Sequence, residues 1–260
     1  MNGIVAYAAY LPYFRLDRKA IAAALGLRTG KGTRAVASYD EDTTSMGVEA
    51  ARTALRGAPA LRPAGLYFAT AAPGYLDKTN ATAIHAALDL DPATAAFDML
   101  GSVRSGAGAL RAAVDAARPT LAVLSDIRTG LPGGADEREG GDAAVAFLCA
   151  EDSAEAPVLA EPIASAHMTA EFLDRWRQPG AATSRQWEER FGEHAYAPQG
   201  EGGPPRAGPS TRPGVCNERS TLRYRWTAGP PVEALARGPW TWSRTPAPTA
   251  RVTASRSTRS

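Results

Sequence analysis

The residues best placed by type and spacing to do chemistry lie in a short glycine-rich stretch, Gly101-Ser-Val-Arg-Ser-Gly-Ala-Gly108. It joins a strand-like run, Ala95 to Asp98, to a helix-like run, Ala107 to Ala117. A hydroxyl at such a turn becomes a nucleophile only when a base stands within hydrogen-bond reach. Ser102 and Ser105 are therefore candidates for a serine acyl-enzyme. The competing reading, which the residues favour, makes both of them small side chains that cap or pack a buried helix start. Asp126 and Arg128 follow the apolar run Thr120 to Ser125. Open α/β sheets place ligand contacts at such strand ends, so both are candidate substrate-binding residues. A purely structural Asp–Arg pair is the simpler alternative.

Other titratable residues point to structure. Asp40, Glu41 and Asp42 could form paired acids, but they read better as the solvated approach to a helix N-terminus. The loop from Gly130 to Gly141 has neither a Walker nor a dinucleotide pattern, which leaves phosphate binding with little support. His85, beside apolar Ile84 and Ala86 in a helix-like run, reads as a structural residue, and His167 and His194 are lone residues without Cys or carboxylate partners at ligand spacing, so no metal is expected. Cys149 lies in a core-like apolar run and reads as a buried, inert thiol.

The elements that must position these residues alternate in kind. Gly3–Tyr10, Gly65–Ala71, Ala95–Asp98, Thr120–Ser125 and Ala143–Cys149 read as strands. Helices are expected over Arg18–Leu25, capped by Asp17 and ended by Gly26, and over Met46–Leu55, Thr79–Leu88 and Ala107–Ala117. This order predicts an α/β fold with a mostly parallel sheet covered by helices on both faces. The last two strands, with no long helix between them, suggest an antiparallel edge hairpin. Pro157–Met168 is expected to start one more strand, and Thr183–Tyr196 reads as helical.

The composition changes near Gln199. Residues 1–198 hold 24 acidic and 19 basic side chains, whereas the last 62 hold 3 Glu, no Asp and 10 Arg, so the near-neutral net charge of +2 hides an asymmetry. That tail also has 9 Pro and 7 Gly, and only 3 of the chain's 29 basic residues are Lys, as a GC-rich genome would encode. The tail, 199–260, therefore reads as disordered and as out-of-frame translation; a natural disordered tail is the alternative. Its arginines are scattered, with no stacking or RGG pattern, which argues against nucleic acid as a partner. No apolar run approaches the roughly 20 residues of a membrane span, and the N-terminus lacks a basic leader. Two cysteines imply no disulfide framework, and the cytoplasm is the expected compartment.

Six segments in order, GIVAYAAYLP, DEDTTSMGVEAARTAL, FATAAPGYLDKTNATAIHAAL, FDMLGSVRSGAGAL, SDIRTG and EREGGDAAVAFL, resemble the N-terminal half of hydroxymethylglutaryl-CoA synthase-like proteins of the thiolase superfamily, close to ketoacyl synthase III types. The resemblance covers roughly residues 2–165. It implies a thiolase-like fold of two similar α/β halves, normally dimeric, of which residues 1–168 supply the first half and 169–198 the start of an incomplete second. It also implies acyl transfer and Claisen-type condensation on an acyl-CoA thioester, with acyl-CoA as substrate and no cofactor. Family members place a Cys nucleophile four residues beyond an Asp, at a strand-to-helix turn where the helix N-terminus favours the thiolate. Laid on Asp98, that pattern puts the Cys position at Val103. The family's Glu, after Ala-Thr on the preceding strand, falls at Ala71, and its His comes from the second half. The expectation is thus a truncated relative, inactive in condensation, that associates as a homo- or hetero-oligomer with a thiolase-like subunit. Two rivals stand beside it, a non-catalytic acyl-CoA-binding subunit and a decarboxylase or retro-aldolase that needs no Cys.

Overall fold

A computed structural model describes residues 2–28, 30–169, 171, 173 and 175–187, and three stretches beyond, 218–226, 240–241 and 255–256. The elements run β1 (Asn2–Tyr10), β2 (Phe14–Asp17), α1 (Arg18–Ala24), β3 (Thr33–Val36), α2 (Thr43–Arg56), β4 (Gly65–Thr70), α3 (Ala81–Ala87), β5 (Ala95–Leu100), α4 (Ser105–Asp115), β6 (Thr120–Asp126), α5 (Ala135–Glu139), β7 (Ala143–Glu151), β8 (Ala160–Thr169), β9 (Arg175–Trp176), β10 (Arg185–Gln186) and β11 (Glu218–Trp226). One sheet carries the order β11-β8-β1-β7-β6-β4-β5.

Local signals set the helix starts. The Asp17 carboxylate accepts from the Lys19 N–H at 2.9 Å and begins α1, and Gly26 follows that helix at φ +64°. Asp42 and Ser45 form a reciprocal capping box at α2, so Asp42 belongs to the helix approach, as its acidic neighbourhood predicts.

The sheet separates two apolar layers, because alternate residues of each strand point to opposite faces. Val5, Phe68, Leu121 and Val123 pack with Met46 of α2 and Ile84 of α3 on one side. Ile4, Ala122 and Cys149 pack with Ala113 and Val114 of α4 on the other. Helices therefore cover both faces, as expected.

The sheet is mixed rather than mostly parallel. β4 runs parallel to β5 and β6, whereas β6–β7, β7–β1, β1–β8 and β8–β11 are antiparallel. The reason lies in the connections. A parallel neighbour needs a crossover of a dozen or more residues, usually helical, and α3 and α4 supply it. Between β6 and β7 the only helix, α5, has 5 residues, so the chain turns back. That hairpin is antiparallel as expected, but it is not at an edge. β1 pairs along the outer side of β7, leaving β5 at one edge of the sheet and β11 at the other.

Three further differences concern loops and the C-terminal region. The small β2–β3 pair, with Phe14 opposite Val36, was not expected, because the exposed sequence Phe-Arg-Leu-Asp has no alternation of buried and open positions. Arg185–Gln186, inside the stretch expected to be helical, is instead extended and paired with β9; positions 188–196 of that stretch lie outside the described residues. Within the basic tail, Glu218–Trp226 lines up along β8 from Glu218 opposite Thr169 to Trp226 opposite Ala160, and Trp240–Thr241 pairs with Ser255–Arg256. The rest of the expected tail lies outside the described residues.

Candidate functional site

The parallel strands β4, β5 and β6 end side by side, and the chemistry-bearing candidates gather there. β5 leaves the sheet through Gly101, whose φ of +107° is one that side chains rarely adopt, and the Gly101 N–H donates to Thr70 O at 3.3 Å. The chain then turns through Ser102, Val103 and Arg104 into α4. A Cβ on Gly106 would lie 2.6 Å from Leu124 Cδ2, so the absence of a side chain lets the first turn of α4 settle against β6. The result is a sharp strand-to-helix elbow with Val103 at its tip, 53 % exposed.

The two serines of the elbow are placed differently. The Ser105 hydroxyl donates back to Leu100 O at 3.3 Å, and its N–H donates to Ser102 O at 3.0 Å. Ser102 is exposed. The nearest histidine in sequence, His85, sits at the far end of α3, where its Nε2 lies 3.0 Å from Asp91 O. His167 is in β8, opposite Ser220, and His194 lies outside the described residues.

Asp98, at the centre of β5, joins the elbow strand to the loop after β4. Its carboxylate accepts from the Asn80 N–H at 2.7 Å, the Asn80 side-chain amide at 2.9 Å and the Ala81 N–H at 2.7 Å. The Asn80 amide oxygen accepts from the Tyr75 N–H at 2.9 Å, and its Nδ2 donates to Tyr75 O at 3.0 Å. A carboxylate on the strand thus closes the start of α3, where Asn80 itself makes no side-chain cap.

Asp126, at the end of β6, accepts from the Ala71 N–H at 2.7 Å and the Thr70 hydroxyl at 3.2 Å. Burial raises its pKa above the ordinary carboxylate value, against the pull of the Ala71 N–H and the charge of Arg128. Asp126 and Arg128 do not form a hydrogen-bonded pair. The Arg128 backbone N–H goes to Asp142 at 2.8 Å, and its side-chain stem lies against Gly140. The buried ion pair of this region is Arg34–Asp142, at 3.6 Å. Arg34 also donates to the carbonyls of Arg128 at 2.7 Å and Glu137 at 2.8 Å, and Asp142 accepts from the Ala37 N–H at 2.8 Å. Together they pin the loop that follows Asp126 onto β3. Cys149 is 1 % exposed, and burial pushes its thiol up to about 12.

That pinned loop completes a concavity of about 520 Å³ between α1 and α5. Arg18, Arg28, Lys31 and Arg138 surround it, with Leu27 among its apolar walls and Glu139 as its acid. Sequence reasoning missed this cluster. Arg18, Arg28 and Lys31 are close in sequence, but Arg138 comes from a distant loop that meets α1 where Arg18 donates to Glu139 O, 121 residues away, at 3.2 Å. Among the described residues, no group of three or more His, Cys, Asp or Glu side chains could hold a metal ion. None of their helices is long and apolar enough to cross a membrane.

No protein-family model matches the chain. A hydroxymethylglutaryl-CoA synthase of Pyrococcus furiosus is 31% identical over 202 residues, covering 75% of this chain and 57% of the relative. Its counterpart in Aeropyrum pernix is 30% identical over 208 residues, covering 75% and 56%. This chain is hydroxymethylglutaryl-CoA synthase-like. The hydroxymethylglutaryl-CoA synthase-like chain spans less than two thirds of the length of these curated relatives. Its thiolase-type fold is shared with solved structures. One is MvaS in complex with 3-hydroxy-3-methylglutaryl coenzyme A, with a TM-score of 0.66 at 24% identity, covering 75% of this chain and 50% of that one. Another is 3-oxoacyl-(acyl carrier protein) synthase III from Pseudomonas aeruginosa, with a TM-score of 0.61 at 22% identity, covering 75% and 67%.

Proposed function

We propose that this chain binds an acyl-CoA thioester without forming an acyl-enzyme, as a non-condensing counterpart of the hydroxymethylglutaryl-CoA synthases. The observation that carries the reading is Val103. The elbow has the geometry that activates a thiol, a helix N-terminus at the head of a strand, and the side chain there is an isopropyl group with nothing to ionise or acylate. Ala71, at the end of β4, likewise offers a methyl group where the resemblance puts the family's acid. Loss of both leaves no nucleophile and no proton donor at these two positions. Ser105 does not fill the gap, since its hydroxyl donates to the Leu100 carbonyl.

The basic concavity supports retained binding. Coenzyme A carries several phosphate negative charges, and four basic side chains around one hollow suit such a ligand. A thiolase-like partner subunit is part of the same proposal. β5 is an edge strand of the sheet, and Phe97 on it is 55 % exposed, which gives a second subunit an edge and an apolar contact to use.

Intact-mass measurement after incubation with acetyl-CoA or acetoacetyl-CoA should show no adduct, while calorimetry with CoA should show binding that weakens with salt. Val103→Cys should acquire an alkylatable thiol and slow acylation without turnover. A stoichiometric acyl group mapped to Ser102 or Ser105 on the unmodified chain would replace this reading with a serine enzyme.

A further inference from the structure

The β9–β10 hairpin reaches back over the strand ends through Arg175, on β9, and Arg177, just beyond it. Gly180 turns it, at φ +81°. Trp176 and Trp187 meet with ring centroids 6.2 Å apart. Arg175 grips Asp136, the second residue of α5, with both guanidinium nitrogens, one bond being 2.9 Å. Both side chains are only about 15 % exposed, 16% for Arg175 and 15% for Asp136. Two positions on, Arg177 donates to the carbonyl of Ala71, at the end of β4. The hairpin therefore ties together the two segments that flank the candidate site, the loop after β6 and the end of β4. From the other side the same loop is held by Arg34.

We infer that the hairpin is a strap whose Arg175–Asp136 latch positions α5, and with it Arg138, at the rim of the basic concavity. The ligand part of this inference rests on the CoA-binding reading above. The latch itself does not. A two-pronged guanidinium–carboxylate pair fixes direction as well as distance, and here it acts on a helix too short to hold its own shape in water. Arg175 and Asp136 are absent from the residues lining the concavity, so they are positioning residues for Arg138.

The test uses the full chain with Arg175→Gln, Asp136→Asn and the exchanged double variant Arg175→Asp with Asp136→Arg. Hydrogen exchange over residues 130–141 should speed up about tenfold in each single variant and slow again in the exchanged pair. Exchange in β6 and α2 should stay unchanged in all three. CoA affinity should fall about threefold to tenfold in the single variants and recover in the exchange, although no charge lining the concavity has been altered. Unchanged exchange over 130–141 in both single variants would overturn the strap. Faster exchange with CoA affinity unchanged would keep the latch and refute its role in positioning Arg138. If the parent chain binds no CoA while the latch variants loosen the loop, the functional reading fails and the strap stands.

Discussion

Replacing Asp98 tests the joint between the elbow strand and the loop that carries Ala71. In the Asp98→Ala variant two donors lose their acceptor at once, the N–H groups of Asn80 and Ala81, while the Asn80 side-chain amide loses one acceptor and keeps Tyr75 O and Lys78 O. Asn80 is fully buried, so water reaches its groups poorly. A stranded buried donor costs about 1–3 kcal/mol. Asp98 is half-buried, and water admitted at that side offsets part of the sum, which leaves about 3–4 kcal/mol for the alanine variant. Asp98→Asn keeps one acceptor oxygen but turns an amide toward the remaining donors, so its cost should fall between, about 1.5–2.5 kcal/mol. Urea denaturation followed by far-ultraviolet circular dichroism measures both. Hydrogen exchange over residues 78–88 should report the same ranking locally, because α3 loses the carboxylate that closes its first turn. Two variants within about 0.5 kcal/mol of the parent, the scatter of an ordinary surface substitution, would refute the claim that Asp98 holds this joint.

Arg34→Ala should destabilise the chain by about 3–5 kcal/mol in the same urea measurement, because it leaves Asp142 buried without its cation. Asp126→Asn should raise the melting temperature at pH 7. The amide oxygen can keep the bonds to Ala71 and Thr70 while the buried charge disappears. Because the folded pKa of Asp126 lies above its unfolded value, the parent loses stability as pH rises through that range, so the advantage of the variant should vanish on acidification toward pH 3.8. Cys149 should resist iodoacetamide at pH 8 until the chain unfolds, read by peptide mapping. Its raised pKa makes stability fall as pH climbs from 9.0 toward about 12, since the unfolded thiol ionises first. In the encoding DNA, one alternative frame beyond about codon 198 should read as alternating strands and helices with ordinary Ile, Val and Asp content; stop-dense alternative frames would refute out-of-frame translation.

Much of the fold was legible because its signals are local. Asp17 and Asp42 mark helix starts through bonds to residues two and three positions on. The apolar runs of β4, β6 and β7 are short and continuous because both faces of those strands are covered. The elbow was legible for the same reason, since Gly101 and Gly106 stand where a turn and a close approach require them. The β2–β3 pair was not, because a fully exposed strand leaves no pattern of burial to read. The extended course of Arg185–Gln186 was likewise not legible. Trp187 meets Trp176 across a hairpin, a contact that helical spacing cannot reveal.

By itself, the sequence determined the alternation of strands and helices, the caps, the valine and alanine at the elbow and strand end, and the break in composition near Gln199. Each of these depends on residue type or on neighbours a few positions apart. Only the tertiary structure decided that β7 lies inside the sheet and that Asp126 turns to β4 rather than to Arg128. It also decided that Arg138 joins Arg18, Arg28 and Lys31, and that Arg175 locks onto Asp136. These facts depend on which distant segments meet when the chain closes, and the side-chain hydrogen bonds among them join residues 39 to 121 positions apart. Spacing along the chain carries no record of such meetings, because the cost of closing a loop rises only slowly with its length and favours no single partner.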